Sequence, residues 1–330
     1  MDYLPDKVID HLRQAVVAPD FSATRYELLG EIGRGGMGTV YVGRDTQLDR
    51  RVALKVLNVV DPDREAAPRM ADEARILARL EHPGIVPVHD LGTLPDGRIF
   101  YAMKLVEGTR LDAYARTSAS LPERLRVFLR ICETVAFAHS QGVIHRDIKP
   151  ENIMVGPFGE VLVLDWGVAK IAGLAREHSA AGSVAGSDTA SGTVIGTPGY
   201  MAPEQAAGAI NQVDARSDVY SLGMTLKALA APSPVPKRLQ AISRKAAAQD
   251  RSLRYAGVLE LSAELERFLA GEPVLAYRES ALERLGRLVT RNQTLVLLVA
   301  AYLVMRIVLF YVEKWGLASP SQAGGALGGP

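Results

Sequence analysis

The chain has 330 residues, of which 48% are hydrophobic and 23% charged, a globular composition with room for one large or two modest domains. A formal net charge of +1 offers no strong basic field, so nucleic acid is excluded as an expected partner. The single cysteine, Cys132, sits in the apolar pattern Val127-Phe128-Leu129-Arg130-Ile131-Cys132; it reads as a buried structural thiol, permits no internal disulfide and suits a reducing cytosol.

The first six residues, Met1-Asp2-Tyr3-Leu4-Pro5-Asp6, have neither the basic nor the apolar region of a secretory signal. Residues 1–25 read as an N-terminal extension with a short helix over Val8–Val17. From Tyr26 to Met103 the pattern is β-rich, with alternation in Gly38–Val42 and Arg51–Val56 predicting paired strands around a glycine-rich turn. That turn, Gly33-Arg34-Gly35-Gly36-Met37-Gly38, fits G-x-G-x-x-G, whose glycines let backbone amides approach phosphate oxygens. A plain hairpin or a dinucleotide loop would use the same pattern. Here a strand rather than a helix follows, which favours a phosphate flap.

Lys55 lies in Val52-Ala53-Leu54-Lys55, where an inward lysine needs an anionic partner and an outward one needs none. Helical spacing at Met70, Ala74, Ile76, Leu77 and Leu80 predicts a helix over Glu65–Leu80, and it carries two carboxylates, Asp72 and Glu73. They point about 100° apart, so both cannot face one lysine.

A second helix is predicted over Pro122–His139, just before His145-Arg146-Asp147-Ile148-Lys149-Pro150-Glu151-Asn152. That short loop holds an acid, a base and an amide. Asp147 could accept a hydroxyl proton, Lys149 could neutralise a transferring phosphoryl group, and Asn152 could hold a metal ion. Residues 173–196 are Ser, Ala, Gly and Thr with almost no large apolar side chain, and read as a mobile surface loop. Helical patterning returns over Ser217–Leu229 and Pro236–Leu269. Arg278, Arg284, Arg287 and Arg291 then precede an apolar run, and the Gly/Ala/Ser/Pro tail from Ala318 reads as disordered.

The apolar run, Thr294–Val312, is near the ~20 residues needed to cross a bilayer. Its twelve Leu, Ile, Val and Phe contribute roughly −4 to −7 kcal/mol, against about +2.5 to +3.5 kcal/mol for Arg306, so insertion wins. Arg306 lies towards the far end, where it is expected to snorkel. The flanking arginines place the preceding part on the cytoplasmic side, giving a single-pass protein of the inner membrane. A buried or dimer-forming helix is the competing reading of this run. About 18 residues follow the span, too few for a folded sensor domain.

Five signatures stand in order: the glycine turn, Val-Ala-Leu-Lys55, the loop His145–Asn152, Leu164-Asp165-Trp166-Gly167 in place of D-F-G, and Gly196–Glu204 ending in A-P-E. On these residues the chain resembles the protein kinase family, and within it the bacterial eukaryotic-type Ser/Thr kinases, from about Tyr26 to Gly271. The resemblance implies an α+β bilobal fold, with an N-lobe over 26–103 and a C-lobe over 104–271. A basic juxtamembrane segment (272–293), the membrane helix (294–312) and a short tail (313–330) follow. It also implies transfer of phosphate from ATP to protein serine and threonine. Lys149 and the Thr197-Pro198 pair look like Ser/Thr rather than Tyr kinases.

By the same resemblance Ile32, Gly33, Gly35, Gly38, Val40, Lys55 and Glu73 would bind ATP, Met103 would be the gatekeeper, and the Lys104–Val106 backbone would pair with adenine. Asp147, Lys149 and Asn152 would be catalytic, and Asn152 with Asp165 would hold Mg2+, with Mn2+ as the alternative. Arg146 would sense phosphate on the activation loop, whose acceptors are expected among Thr189, Ser191 and Thr193. Asp218 would brace the catalytic loop, and Arg254 would pair with Glu204. One departure is large. The stretch around 228–237 is too short for the usual helix G, which puts the usual docking surface for protein substrates in doubt. A pseudokinase scaffold is therefore the competing function, with a small-molecule kinase third; a homodimer is compatible with either.

Overall fold

The computed structural model describes residues 18–35, 38–57, 74–117, 119–166, 199–231, 234–281, 283–284, 286 and 292–316. The chain forms two compact units, one of residues 1–269 with 274–277, the other of 270–273 with 278–330.

The first unit begins with β1 (Tyr26–Arg34), β2 (Gly38–Asp45), β3 (Arg50–Leu57), β4 (Val88–Thr93) and β5 (Ile99–Lys104), an antiparallel sheet in the order β1-β2-β3-β5-β4. Alternation puts Val52, Leu54 and Val56 of β3 on one buried face. They pack with Tyr26, Tyr41, Leu94 and Phe100, and with Phe21 from the segment before β1. Phe21 meets Phe100 edge-on at 4.9 Å, and Arg98 donates to the Ala18 carbonyl at 3.2 Å. The last residues of the N-terminal extension therefore help build the N-lobe core. The expected helix over Val8–Val17 lies outside the described residues. Residues 74–79 are helical, so the predicted 65–80 helix is described only in its second half. Ala74 packs against Tyr101 of the sheet, while Leu77 and Leu80 join the core below.

The helical half comprises α1 (Leu111–Tyr114), α2 (Leu121–Ser140), α3 (Pro203–Ala206), α4 (Ala215–Ala230), α5 (Lys237–Ala246) and α6 (Val258–Leu269), with short strands β6 (Thr109–Arg110), β7 (Ile153–Val155) and β8 (Val161–Val163). Helix α2 starts cleanly because Ser120 and Glu123 form a reciprocal capping box ahead of Pro122. Its stripe Leu125, Phe128, Ile131, Cys132, Val135 and Ala138 is fully buried at helical spacing. Burial pushes the Cys132 thiol up, in keeping with a structural role.

The helical patterning over Pro236–Leu269 resolves into two helices, α5 and α6, separated by residues 247–257. Asp250 accepts from the Ser252 amide to start a 3-10 turn over Arg251–Leu253. Arg254 then takes extended backbone (φ −71°, ψ 173°) so that its guanidinium can turn inward. Helix α5 follows α4 after only a short connection and packs close to it. A Cβ on Gly223 of α4 would lie 2.7 Å from the Ala246 Cβ and 2.8 Å from the Ala247 amide.

In the second unit, α7 (Gln293–Gly316) contains Val296–Trp315, mean hydropathy 2.1, long and apolar enough to cross a membrane. The helix runs past Val312, the end of the predicted span.

Candidate active site

Strand pairing sets the upper half of the site. Val40 of β2 sits opposite Lys55 of β3, flanked by Gly33 of β1 and Tyr101 of β5, so Gly33, Val40, Lys55 and Tyr101 form one cross-strand row. Ala53, two residues back, pairs with Met103. The Lys55 ammonium lies 5.6 Å from the Tyr101 ring centre and 3.6 Å from Asp165 Oδ1, and its side chain is only 14% exposed. Glu73, the expected helix partner of Lys55, lies outside the described residues. The described part of the flap is open: Ile32 is 52% exposed, Gly33 and Gly35 are exposed, and Gly38 is buried. The Lys104 amide donates to the Pro87 carbonyl at 3.1 Å, which anchors the end of β5 just before Val106.

The lower half is the loop between α2 and β7. Lys149 Nζ is 3.3 Å from Asp147 Oδ2. The Asn152 amide donates to the Asp147 carbonyl at 2.9 Å and to Asp147 Oδ2 at 3.2 Å. The Asn152 nitrogen is thus committed to Asp147, leaving its oxygen as the group a cation would take. The Leu164 amide donates to the Asn152 carbonyl at 2.7 Å, tying the loop to the segment that carries Asp165. His145 makes the same connection through its side chain and also braces the loop internally. Its Nδ1 accepts from the Asp147 amide at 3.2 Å, so Nε2 carries the proton donated to the Leu164 carbonyl at 3.0 Å. Trp166 rests on the His145 ring at 4.7 Å and donates to the Val163 carbonyl at 3.1 Å, 3% exposed. The aromatic that stands where phenylalanine was expected is packed inward.

Arg146 and Asp165 both have positive φ, 67° and 54°, a left-handed conformation that costs a non-glycine residue about 1–2 kcal/mol. The strain at Arg146 is held by what lies beneath. The fully buried Asp218 accepts from the amides of His145 and Arg146, each at 2.8 Å, and meets His139 Nε2 at 2.7 Å. Burial alone would raise its pKa, but the His139 contact and the loop amides hold it below the usual carboxylate range. Gln205 Nε2 donates to the Arg146 carbonyl at 3.0 Å.

Glu204 is gripped by Arg254 through two bonds, 2.7 and 2.8 Å, and accepts from Ser217 Oγ at 2.7 Å. The bracing and pairing expected of Asp218, Arg254 and Glu204 are both present. His139, Ser217 and Gln205 were not singled out by sequence. Each acts through a contact 13 to 79 residues away, and no local pattern signals it.

The expected metal ligands fit a hard divalent cation, since Asn152 and Asp165 offer oxygen donors. Among the described residues no group of three or more His, Cys, Asp or Glu could hold a metal ion alone. Two protein ligands completed by phosphate oxygens and water is the usual arrangement for Mg2+. Thr189, Ser191, Thr193, Thr197 and Pro198 lie outside the described residues.

A family model described as "Protein kinase domain" matches residues 26–271. The chain is similar to serine/threonine-protein kinase PknD of Chlamydia felis, 34% identical over 296 residues, covering 76% of this chain and 31% of that protein. PknD of Chlamydia trachomatis serovar D is 36% identical over 302 residues, covering 76% and 32%. The chain thus spans about a third of the length of the curated relatives it matches. Among solved structures it is similar to the kinase domain of M. tuberculosis PknI, with 26% identity and a TM-score of 0.54, covering 75% of this chain and 96% of that one.

Proposed function

The chain belongs to the protein kinase family, and from that premise we propose that it phosphorylates serine and threonine hydroxyls of proteins with ATP. One observation carries the reading: Lys55 meets Asp165 at 3.6 Å, while Lys149 and Asn152 converge on Asp147 at 3.3 and 3.2 Å. Asp147 orients the acceptor hydroxyl and takes its proton as the oxygen–phosphorus bond forms and the bond to ADP breaks. Lys55 and Lys149 stabilise charge on the phosphates. Asn152 and Asp165 hold Mg2+ or Mn2+, which supplies further charge neutralisation. The flap residues Ile32, Gly33, Gly35, Gly38 and Val40 cover the nucleotide, with Met103 and the Lys104–Val106 backbone at its adenine end. Positioning and electrostatics provide most of the acceleration.

The scaffold reading draws on the short connection from α4 to α5. Radiolabelled ATP with purified protein separates the two. Transfer by the wild type and none by Asp147→Ala supports the kinase, whereas nucleotide binding without transfer by the wild type supports the scaffold.

Regulation by autophosphorylation draws support from Arg146. Its buried Nε has no hydrogen-bond partner among the described residues, and burial lowers its pKa despite Asp218. A phosphate on Thr189, Ser191 or Thr193 is its proposed partner. Mass spectrometry of wild type against Asp147→Ala tests this; equal phosphate on both refutes it. The apolar α7 supports a single-pass anchor in the inner membrane with residues 26–271 in the cytoplasm. Release by alkaline carbonate would refute the anchor.

A further inference from the structure

Arg306 is the single charged residue within Leu295–Val312 of α7, and it is exposed, as is the helix around it. At 1.5 Å per residue its Cα lies about 16 Å from Leu295 and about 9 Å from Val312, so the nearer membrane surface is the C-terminal one. Helical side chains, however, lean towards the helix N-terminus, over the preceding turn. The lean carries the guanidinium towards the middle of the span, away from the headgroups it could reach most easily. Snorkelling, expected from the position of Arg306 in the sequence, is therefore opposed by the direction of the helix.

Nor does α7 itself answer the charge. The positions one turn away are Tyr302, Leu303, Leu309 and Phe310, and the nearest carboxylate, Glu313, is two turns on, about 10 Å along the axis. At 100° per residue, Tyr302 and Glu313 fall within about 40° of Arg306, so the three share one polar stripe on an apolar helix. Two parallel copies pairing through this stripe would set Arg306 against Arg306. A cation in hydrocarbon is stable when it faces a countercharge.

Resting on the membrane-span reading above, we propose that the Tyr302–Arg306 face of α7 docks a different membrane-spanning helix that carries an aspartate or glutamate at the same depth. Its carboxylate would accept from the guanidinium, and the Tyr302 hydroxyl offers a second polar contact on the side towards which Arg306 leans.

The test uses the full chain, fluorescently labelled, in phosphatidylcholine vesicles with a synthetic leucine-rich helix bearing one central glutamate, or leucine in its place. Energy transfer reads association. The expected result is about tenfold stronger association with the glutamate helix. Arg306→Leu should abolish that preference and Arg306→Lys should retain most of it. Equal association with both helices overturns the proposal, as does a glutamate preference that survives Arg306→Leu. Loss of the preference when phosphatidylserine is added assigns Arg306 to lipid headgroups and also overturns it. So does self-association of the chain that Arg306→Leu abolishes, which would assign the face to a homodimer. Carbonate extraction of wild type and Arg306→Leu is run alongside. Release of both refutes the membrane span itself, whereas retention of both without a glutamate preference refutes only the docking.

Discussion

The catalytic loop stands between two regions built on opposite terms. Beneath it, the buried Asp218 takes the amides of His145 and Arg146, and the buried Arg254 grips the buried Glu204. Above it, β1 and the glycine flap leave Leu29 and Ile32 each 52% exposed. The lower region spends buried charge to fix a strained backbone, and the upper one leaves apolar side chains in the open where a ligand can cover them. The difference teaches which residues should fail by losing stability and which by losing nucleotide.

The boundary between the two is sharpest at Asp147, which faces the cleft from the top of the braced region. Asp147→Asn should lower phosphoryl transfer about a thousandfold in a steady-state assay while changing unfolding free energy by less than about 1 kcal/mol. A stability loss on the scale of the buried pair would erase the distinction.

Arg254→Met probes that pair directly. It leaves Glu204 buried without its partner and should cost about 3–5 kcal/mol in urea denaturation at neutral pH. Burial pushes Glu204 up, yet its bonds to Arg254 and Ser217 hold it below the usual glutamate value. The stabilisation is therefore fully present above the ordinary glutamate pKa of about 4.3 and is lost as pH falls through the lowered one. In the variant only Ser217 and the backbone still oppose burial, so Glu204 protonates more readily and the deficit should shrink as pH falls from neutrality towards the ordinary glutamate value. A deficit independent of pH would mean that the pair is not the source.

Gly223→Ala should cost about 1–3 kcal/mol by forcing α4 and α5 apart, with KM for ATP unchanged. The smallest effect belongs to the flap. Ile32→Ala should raise KM for ATP a few-fold, about 1 kcal/mol of lost cover, and leave the thermal midpoint where it was. A shift in that midpoint would show the flap to be braced after all.

The sequence was most legible where chemistry demands fixed spacing. Lys55, Asp147, Lys149, Asn152 and Asp165 follow from motifs, and the strands and α2 from periodicity. It was least legible where distant groups decide. The inward turn of Arg254 finds its partner in Glu204, 50 residues away. The role of His139 depends on Asp218, and Phe21 looks like part of an unpatterned leader until Phe100 stands beside it. Gly84 is the same kind of case: a Cβ there would lie 2.0 Å from Thr134 Oγ1, a contact that no local pattern anticipates.

Trp166 gives the braced region an optical signature. The chain has two tryptophans, and the other, Trp315, is near the end of α7 and 75% exposed. Replacing Trp315 with phenylalanine would leave a single indole, one residue from Asp165 and lying against His145. Its emission wavelength would report the polarity around Asp165, and its quenching the approach of the imidazole. Loading of nucleotide and cation could then be followed by light, with no label attached.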